Sequence, residues 1–400
     1  LSGVVITGMG AVSACGLGAE ALWRACEDGK SGVGTRDFPE IPRQKVRRMA
    51  AIPPELATQI TQGQQARFQD PTAMAALYAA REAVAAAGLG ADDFGSQCGV
   101  IIGSGFGGGA TLDRNYLAFG ADHAARLDAM SIPKIMANAA ASWVSMEFGA
   151  TGPVSCISTA CASASQSIGL AAQLIRSGAI SRCLAGGSEA CLVAGTFRAW
   201  EMLRVMTPDL CRPFSEDRNG MVLGEGAGIL IVESRDSAEA RGAPILAELA
   251  GYGSSGDAGD LLRPNPAGAA RSMAAALQDA GMTADEVGYV NTHGTGTIAN
   301  DLAEVTAMRQ VFGARLPEFS STKPVHGHAL GAGGALEAIV TIGALSNGVA
   351  PPNINFTAED PAIGATPVLA NGHGFVGAAM SNSFAFGGIN ASLVFRGAGA

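Results

Sequence analysis

"PVSCISTACASASQSIGLAAQLIRSG", residues 153–178, decides how the chain is read. A short β-type run, "PVSCIS", passes within a few residues into a small-residue helical pattern closed by Gly178. No charged side chain occurs from Phe148 to Ile175, so both elements read as buried on both faces, as in layered α/β proteins. A helix starting near Thr159, an acceptable N-cap, puts Cys161 in its first turn. Free backbone N–H groups and the positive end of the helix dipole lie there, which lowers a thiol's pKa and favours the thiolate nucleophile. The small neighbours Ala160, Ala162 and Ser163 leave room for a substrate. On this stretch alone Cys161 is open to four readings: packing, a disulfide, a metal ligand or a nucleophile. Cys156 reads as a core residue pointing into the sheet.

The same alternation runs along the whole chain. "GVVITG", "CGVIIGSG", "RCLAGGSE" and "GAGILIVES" read as strands, and "DPTAMAALYAAREAVAAAG" as a helix ending at Gly88. A second series follows from about residue 245: the strand "PILAELAGYG", the helix "AGAARSMAAALQDAG", the strand and loop "VGYVNTHGTGT", the helix "GALEAIVTIGALSNG" and the strand "ASLVFRG". The two halves share an order of elements without a visible sequence repeat. No Pro/Ser-rich linker divides them, so one packed body is expected.

Four hundred residues, 48% hydrophobic and 15% charged, build a large core and exclude disorder. The 55 glycines imply many tight turns and close backbone approaches. A net charge of −9 argues against nucleic-acid binding, with "RQKVRR" (residues 43–48) as the one local basic run. Eight cysteines without a CxxC pair fit a reducing cytoplasm, and no secretory-type segment opens the sequence. The uncharged runs carry Pro, Ser, Thr and Gly, unlike a membrane-spanning helix, so no membrane span is expected.

"GSGFGG", residues 103–108, matches the dinucleotide-binding GxGxxG, but no strong helix-start signal follows and "GGGATLDRNY" reads as a loop. A nicotinamide dehydrogenase is therefore the weaker enzyme reading. The histidines are more informative. His293 lies in "NTHGTGT", directly after an apolar strand, and His328 in "STKPVHGHALGAGG", a Gly-rich turn before a helix. A metal site of Cys161, His293, His326 and His328 is conceivable, yet "HGH" without paired cysteines is a poor zinc signature.

Taken together, "STAC", "NTHGT", "STK…GH…GAGG…E" and "NSFAFGGIN" resemble the β-ketoacyl-acyl carrier protein synthases of the elongating I/II type, a family that includes polyketide ketosynthase domains. The resemblance extends from "VVITGMGAVSACG" through "RPFSEDRNGMVLGEGAG" to the C-terminus. It implies an α/β chain with the thiolase fold, two similar halves (1–247 and 248–400) in a five-layer αβαβα sandwich, and a dimer. The implied activity is decarboxylating Claisen condensation of an acyl-enzyme with malonyl-acyl carrier protein. Cys161 would be the nucleophile; His293 and His328 would contact the malonyl thioester; Lys323 and Glu337 would be their ionic support. Phe386 would be the gate, its N–H joining that of Cys161 in an oxyanion hole. Thr295, Thr297, Phe106 and Phe384 would bind substrate, the two threonines holding a phosphopantetheine arm delivered by the carrier. No cofactor is implied, apart from a structural monovalent cation near Asn291, Glu337, Ser381 and Asn382. Arg67 and Arg204 are the expected contacts for an acidic acyl carrier protein, with Arg43–Arg48 behind them.

Within this fold the rivals separate by residue. Thiolases use a second, C-terminal cysteine, whereas the last cysteine here is Cys211. Initiating synthases carry Asn where "KPVHGHALG" supplies His328, and chain-length partners generally lack the nucleophile. A non-catalytic or chain-length-setting subunit of a heterodimer remains the alternative to a homodimeric enzyme. "HGTGTIANDLAE" looks closer to polyketide and aryl-polyene synthases than to housekeeping fatty-acid enzymes. Where relatives often read "SSDAYH", this chain reads "SSGDAGD", with an inserted Gly256 and no histidine, which alters the channel mouth. Phe106 stands where the long-chain type has a smaller residue and is expected to shorten the acyl pocket. His326 has no role that the resemblance assigns.

Overall fold

The computed structural model describes residues 3–61, 65–374 and 377–398. Ten strands form the main path of one continuous sheet, and they fall into two sets of five. The first set is β1 (Val4–Ser13), β2 (Cys98–Gly103), β3 (Val154–Ile157), β4 (Arg182–Glu189) and β5 (Gly226–Ser234). The second is β6 (Ala247–Gly256), β7 (Val287–Asn291), β8 (Glu318–Ser320), β9 (Ala378–Ala385) and β10 (Ile389–Gly397). The spatial order is β3-β2-β4-β5-β1 in one set and β8-β7-β9-β10-β6 in the other. In each set the second strand pairs parallel with the third and the fourth, and the remaining neighbours are antiparallel. The sets meet where β1 and β6 pair over Val5–Glu248 and Ile6–Ala247. This is a duplicated topology that no sequence repeat announces.

Helices cover both faces. On the first set, α1 (Pro71–Ala86) and α2 (Ala139–Phe148) pack Ala76, Ala80, Ala83 and Val144 against Val100 and Ile229. On the second, α4 (Pro266–Ala280) and α5 (Ile298–Phe312) pack Met273, Leu277, Val305 and Met308 against Val290 and Val394. Between the two lie α3 (Ser163–Arg176) and α6 (Gly333–Asn347), whose Ile168, Ala172, Leu336 and Ile339 fill the central core. The result is the five-layer αβαβα thiolase arrangement. The Gly and Ala content has a direct use here. A Cβ on Gly8 or Gly10 of β1 would lie 2.2 or 2.0 Å from a carbonyl of α1, and one on Gly251 or Gly253 of β6 would lie 2.1 or 2.0 Å from a carbonyl of α4. Ala-rich helices therefore rest on strand backbone, a depth of approach that only glycine permits.

Helix ends follow local chemistry. Asp70 and Asn265 accept from Thr72 N and Ala267 N (both 3.0 Å), each before a proline at the first helical position. The Leu330–Asn347 stretch is long and apolar enough to cross a bilayer, but 83% of it is buried in the core, as expected for a central-layer helix.

Two sequence expectations are corrected. A helix, Gly109–Ala121, does follow the GxGxxG match. Its cap is remote: the Asp70 carboxylate accepts from Thr111 N (2.9 Å) and Thr111 Oγ1 (2.7 Å). The glycines before it admit protein, not a dinucleotide. A Cβ on Gly103 would meet Ser163 backbone at 2.5 Å, and one on Gly108 the Lys134 carbonyl at 2.0 Å. Second, β3 is an edge strand with Val154 and Ser155 exposed, so Cys156 is half-buried, not core.

Candidate active site

β3 delivers the chain into a tight turn. Ala160 adopts φ +49°, an uncommon conformation for a residue with a Cβ, and Ala160–Ala162 form a 3-10 turn that feeds α3. Cys161 is thereby held at the entry to the central layer, 6% exposed. Thr159 does not cap this helix. Ser163 Oγ bridges the turn instead, accepting from Thr159 N (2.9 Å) and donating to the Ala160 carbonyl (2.6 Å). The expected depression of the thiol pKa is also corrected: burial pushes Cys161 up to about 12, outweighing the pull of the Lys323 ammonium.

The second half supplies the other groups. His328 Nε2 lies 3.0 Å from Cys161 Sγ, and the nearest donor atoms of Cys161, His293 and His328 all fall within 4.8 Å of one another. The two imidazoles meet edge to face, centroids 5.3 Å apart at 84°. Both are buried. Burial and the Lys323 ammonium, with a neighbouring imidazole adding to both, push His293 and His328 well below the usual imidazole range, so both rings are neutral. Lys323 is 1% exposed, ion-paired with the equally buried Glu337, and its Nζ lies 3.4 Å from His293 Nδ1. An ammonium only donates, so His293 Nδ1 accepts and its Nε2 carries the proton. The same ammonium places positive charge beside any divalent cation that Cys161, His293 and His328 would bind, which argues against the metal reading.

Sequence reasoning missed Glu304. Its carboxylate accepts from His293 N and Gly294 N, both at 2.8 Å, and so clamps the backbone that carries the ring. The signal was available: Asp301 and Glu304, three apart, share the face of α5 that lies beneath "NTHGTGT". Asp301 accepts from Phe214 N (2.8 Å) and Gly296 N (3.2 Å), holding the next part of the same loop.

A cavity of about 730 Å³ opens over the three side chains. Thr295, Thr297, Phe384 and Phe386 line it as expected. The two threonine hydroxyls lie 2.9 Å apart, Phe384 sits 6.1 Å from the His293 ring, and Phe386 stacks on Trp200 at 5.8 Å. Phe106 does not line it. That ring is 46% exposed, while its backbone is anchored inward, Phe106 N donating to the buried Glu189 Oε1 at 3.1 Å. Arg204 is exposed next to Val205, which lines the cavity; Arg67 is exposed over the Phe68 ring and not part of the lining. His326 is structural: its ring bonds the Gly327 carbonyl (2.8 Å) and Thr322 Oγ1 (3.0 Å). At the expected cation position, Asn291 Oδ1 and Ser381 Oγ are buried without a hydrogen-bond partner among the described residues, which fits oxygen ligation of a monovalent ion. Asn382 is already committed, accepting from Ser392 Oγ at 2.8 Å.

A duplicated αβαβα body with a cysteine at one central helix entry and two neutral histidines opposite marks an acyltransferase of the thiolase fold. Residues 2–238 match the family model for the β-ketoacyl synthase N-terminal domain and residues 246–357 that for its C-terminal domain. The chain belongs to the β-ketoacyl synthase family of acyltransferases. It is 42% identical to nodulation protein E of Rhizobium sp. (strain N33), covering 98% of both chains. It is 35% identical to 3-oxoacyl-[acyl-carrier-protein] synthase 2 of Synechocystis sp., covering 98% of this chain and 97% of that one. Among solved structures, the ishigamide ketosynthase/chain length factor superposes with a TM-score of 0.94 at 33% identity, over 99% of both chains. The AntDE ketosynthase, in a complex with the acyl-carrier protein AntF, gives 0.90 at 29% identity, also over 99% of both.

Proposed function

We propose that the chain condenses an acyl group held on Cys161 with malonyl-acyl carrier protein, releasing carbon dioxide and 3-oxoacyl-acyl carrier protein. The observation that carries this is the 3.0 Å contact between Cys161 Sγ and His328 Nε2, with His293 across the same cavity. In the first half-reaction the thiol attacks the incoming thioester carbonyl. The thiol proton leaves on the departing carrier thiol, while His328, its Nε2 protonated, donates to the developing sulfur anion across the 3.0 Å contact. The N–H groups of Cys161 and Phe386 face the tetrahedral oxygen, each such donor contributing roughly 3 kcal/mol. In the second, malonyl decarboxylation leaves an enolate whose oxygen takes hydrogen bonds from the two imidazoles; Lys323, neutralised by Glu337, adds positive charge nearby. The carbanion then attacks the acyl-Cys161 carbonyl, the C–S bond breaks, and the departing thiolate takes a proton from water to regenerate the thiol.

The substrate would reach Cys161 on a phosphopantetheine arm passing Thr295 and Thr297, and Arg204 and Arg67 are the proposed carrier contacts. No organic cofactor is needed by this chemistry; a monovalent cation on Asn291 and Ser381 would stabilise the buried charges near Glu337. We favour a catalytic subunit in the cytoplasm, paired with a second ketosynthase-fold chain, over a silent chain-length partner, because the thiol–imidazole contact is intact. "HGTGTIANDLAE" favours polyketide or polyene assembly. The test is mass spectrometry after incubation with acyl-acyl carrier protein: an acyl adduct on Cys161 is expected, and its absence refutes the reading. Cys161→Ala should abolish condensation while malonyl decarboxylation persists, since Lys323 and both histidines remain. Equal loss of both contradicts the division of labour.

A further inference from the structure

The segment that departs most from the resemblance, residues 256–264, forms one wall of the cavity mouth. It is fixed to the turn after β9: Asp257 N donates to the Gly388 carbonyl and Gly387 N to the Leu261 carbonyl, both at 2.8 Å. Arg263 on this segment lines the cavity and is exposed, whereas Cys161, His293 and His328 at the inner end are 6%, 3% and 2% exposed. Among the described residues lining the cavity it is the one Lys or Arg.

Its guanidinium is unclaimed. Among the described residues it has no ion pair within 4.0 Å and no side-chain hydrogen bond. The nearby acids are otherwise engaged. Asp257 accepts from Asn390 Nδ2 (2.8 Å) and Asn265 N (3.0 Å). Asp260 Oδ1 accepts from Leu262 N (2.8 Å) and from the backbone N–H of Arg263 (3.0 Å), capping the turn, and it feels the guanidinium only as a through-space charge, without an ion-pair contact. A planar five-donor cation with no internal acceptor, at the rim of a narrow apolar cavity in a chain of net charge −9, is suited to a phosphate oxygen pair.

We propose that Arg263 binds the phosphodiester of the arm that presents the thioester to Cys161, setting how deep the thioester reaches. This rests on the reading that substrate arrives on phosphopantetheine. The malonyl carboxylate, also an anion, sits at the inner end beside the histidines, and the carboxylates of a carrier surface are the remaining source. Small arms separate all three.

The experiment measures protection of Cys161 from iodoacetamide by S-methyl phosphopantetheine and S-methyl pantetheine, whose capped thiols cannot consume the reagent and which share everything but the phosphate. In the wild-type protein at low salt, phosphopantetheine should protect at a concentration about five- to tenfold lower, the scale of one charge-assisted contact at an exposed site, and 0.5 M salt should narrow the gap. Arg263→Met should collapse the gap by weakening phosphopantetheine alone, and Arg263→Lys should keep part of it. No gap in the wild type, a gap that survives Arg263→Met, or equal weakening of both arms overturns the proposal, the last by assigning Arg263 to loop packing. A wild-type protein that forms no 3-oxoacyl product would defeat the functional reading while leaving this protection ratio measurable.

Discussion

Glu304 touches no substrate, yet the geometry makes it the main determinant of where His293 stands. Its carboxylate is 1% exposed and takes two backbone N–H groups at 2.8 Å, one from His293 itself. Glu304→Ala leaves both donors buried without an acceptor, at about 1–3 kcal/mol each, so about 2–6 kcal/mol in all. A turn released in this way shifts its ring, and a displacement of roughly 1 Å costs on the order of 10²-fold in rate. Glu304→Gln is the sharper test because its volume is unchanged. One N–H keeps its acceptor while the other faces an amide NH₂, a loss of about 1–3 kcal/mol, which if carried fully into the barrier is roughly 5- to 150-fold in rate. The assay is carbon dioxide release from malonyl-acyl carrier protein, beside the rate of Cys161 alkylation. Decarboxylation should fall in kcat with little change in KM. Alkylation should be unchanged, since Cys161 is held by the other half of the fold. Decarboxylation by Glu304→Gln within twofold of wild type refutes the argument, and parallel loss of alkylation would mean the substitution disturbs the whole core.

Two further outcomes follow from burial. With the Cys161 thiol pushed up to about 12, iodoacetamide alkylation of the free enzyme should keep rising through pH 9 without a plateau; a plateau near pH 7 would mean that the turn and Lys323 win over desolvation. Burial also raises Glu189, Glu225 and Glu304 to about 7 from an ordinary 4.5, so the folded chain holds extra protons between those values. Their contribution is fully present below pH 4.5 and lost as pH rises through 7, whereas that of Glu233, which Arg241 and Arg182 hold near 2 against its burial, is fully present above pH 4.5 and lost only as pH falls toward 2. The melting temperature should therefore decline from pH 6 to pH 8 in differential scanning fluorimetry, and a rise over that interval would contradict the ionisation states.

The site was legible because each reactive side chain sits in a loop whose composition is chemically odd: a cysteine among small residues, and histidines between glycines. What stayed hidden depends on partners distant in sequence. The helix at Gly109–Ala121 takes its cap from Asp70, and the clamp on His293 comes from a face of α5. The ionisation of the Cys161 thiol likewise depends on distant partners. Position in a first turn argues for a low pKa, but the surrounding layers that desolvate the sulfur come from both halves of the chain. Phe106 lies outside the lining of this cavity, in a loop whose backbone is held by Glu189, 83 residues on.

The duplication explains why the reacting groups come from opposite halves. Each central helix is entered through the same backbone shape: a residue at positive φ, Ala160 (+49°) or Leu330 (+45°), begins a 3-10 turn, Ala160–Ala162 or Leu330–Ala332, that runs directly into α3 or α6. By this correspondence Gly331 stands where Cys161 stands, and His328 where Ser158 stands. A side chain at Gly331 is impossible, since its Cβ would lie 2.4 Å from Gly105 N. One copy of the turn therefore presents a sulfur, and the other gives up its side chain while the residue three positions earlier presents an imidazole. The cavity lies where the two helix entries face each other, so neither half contains a complete site. The carbon–carbon bond would form at the junction of the two copies because only there do the thiol and the enolate-stabilising rings share one space.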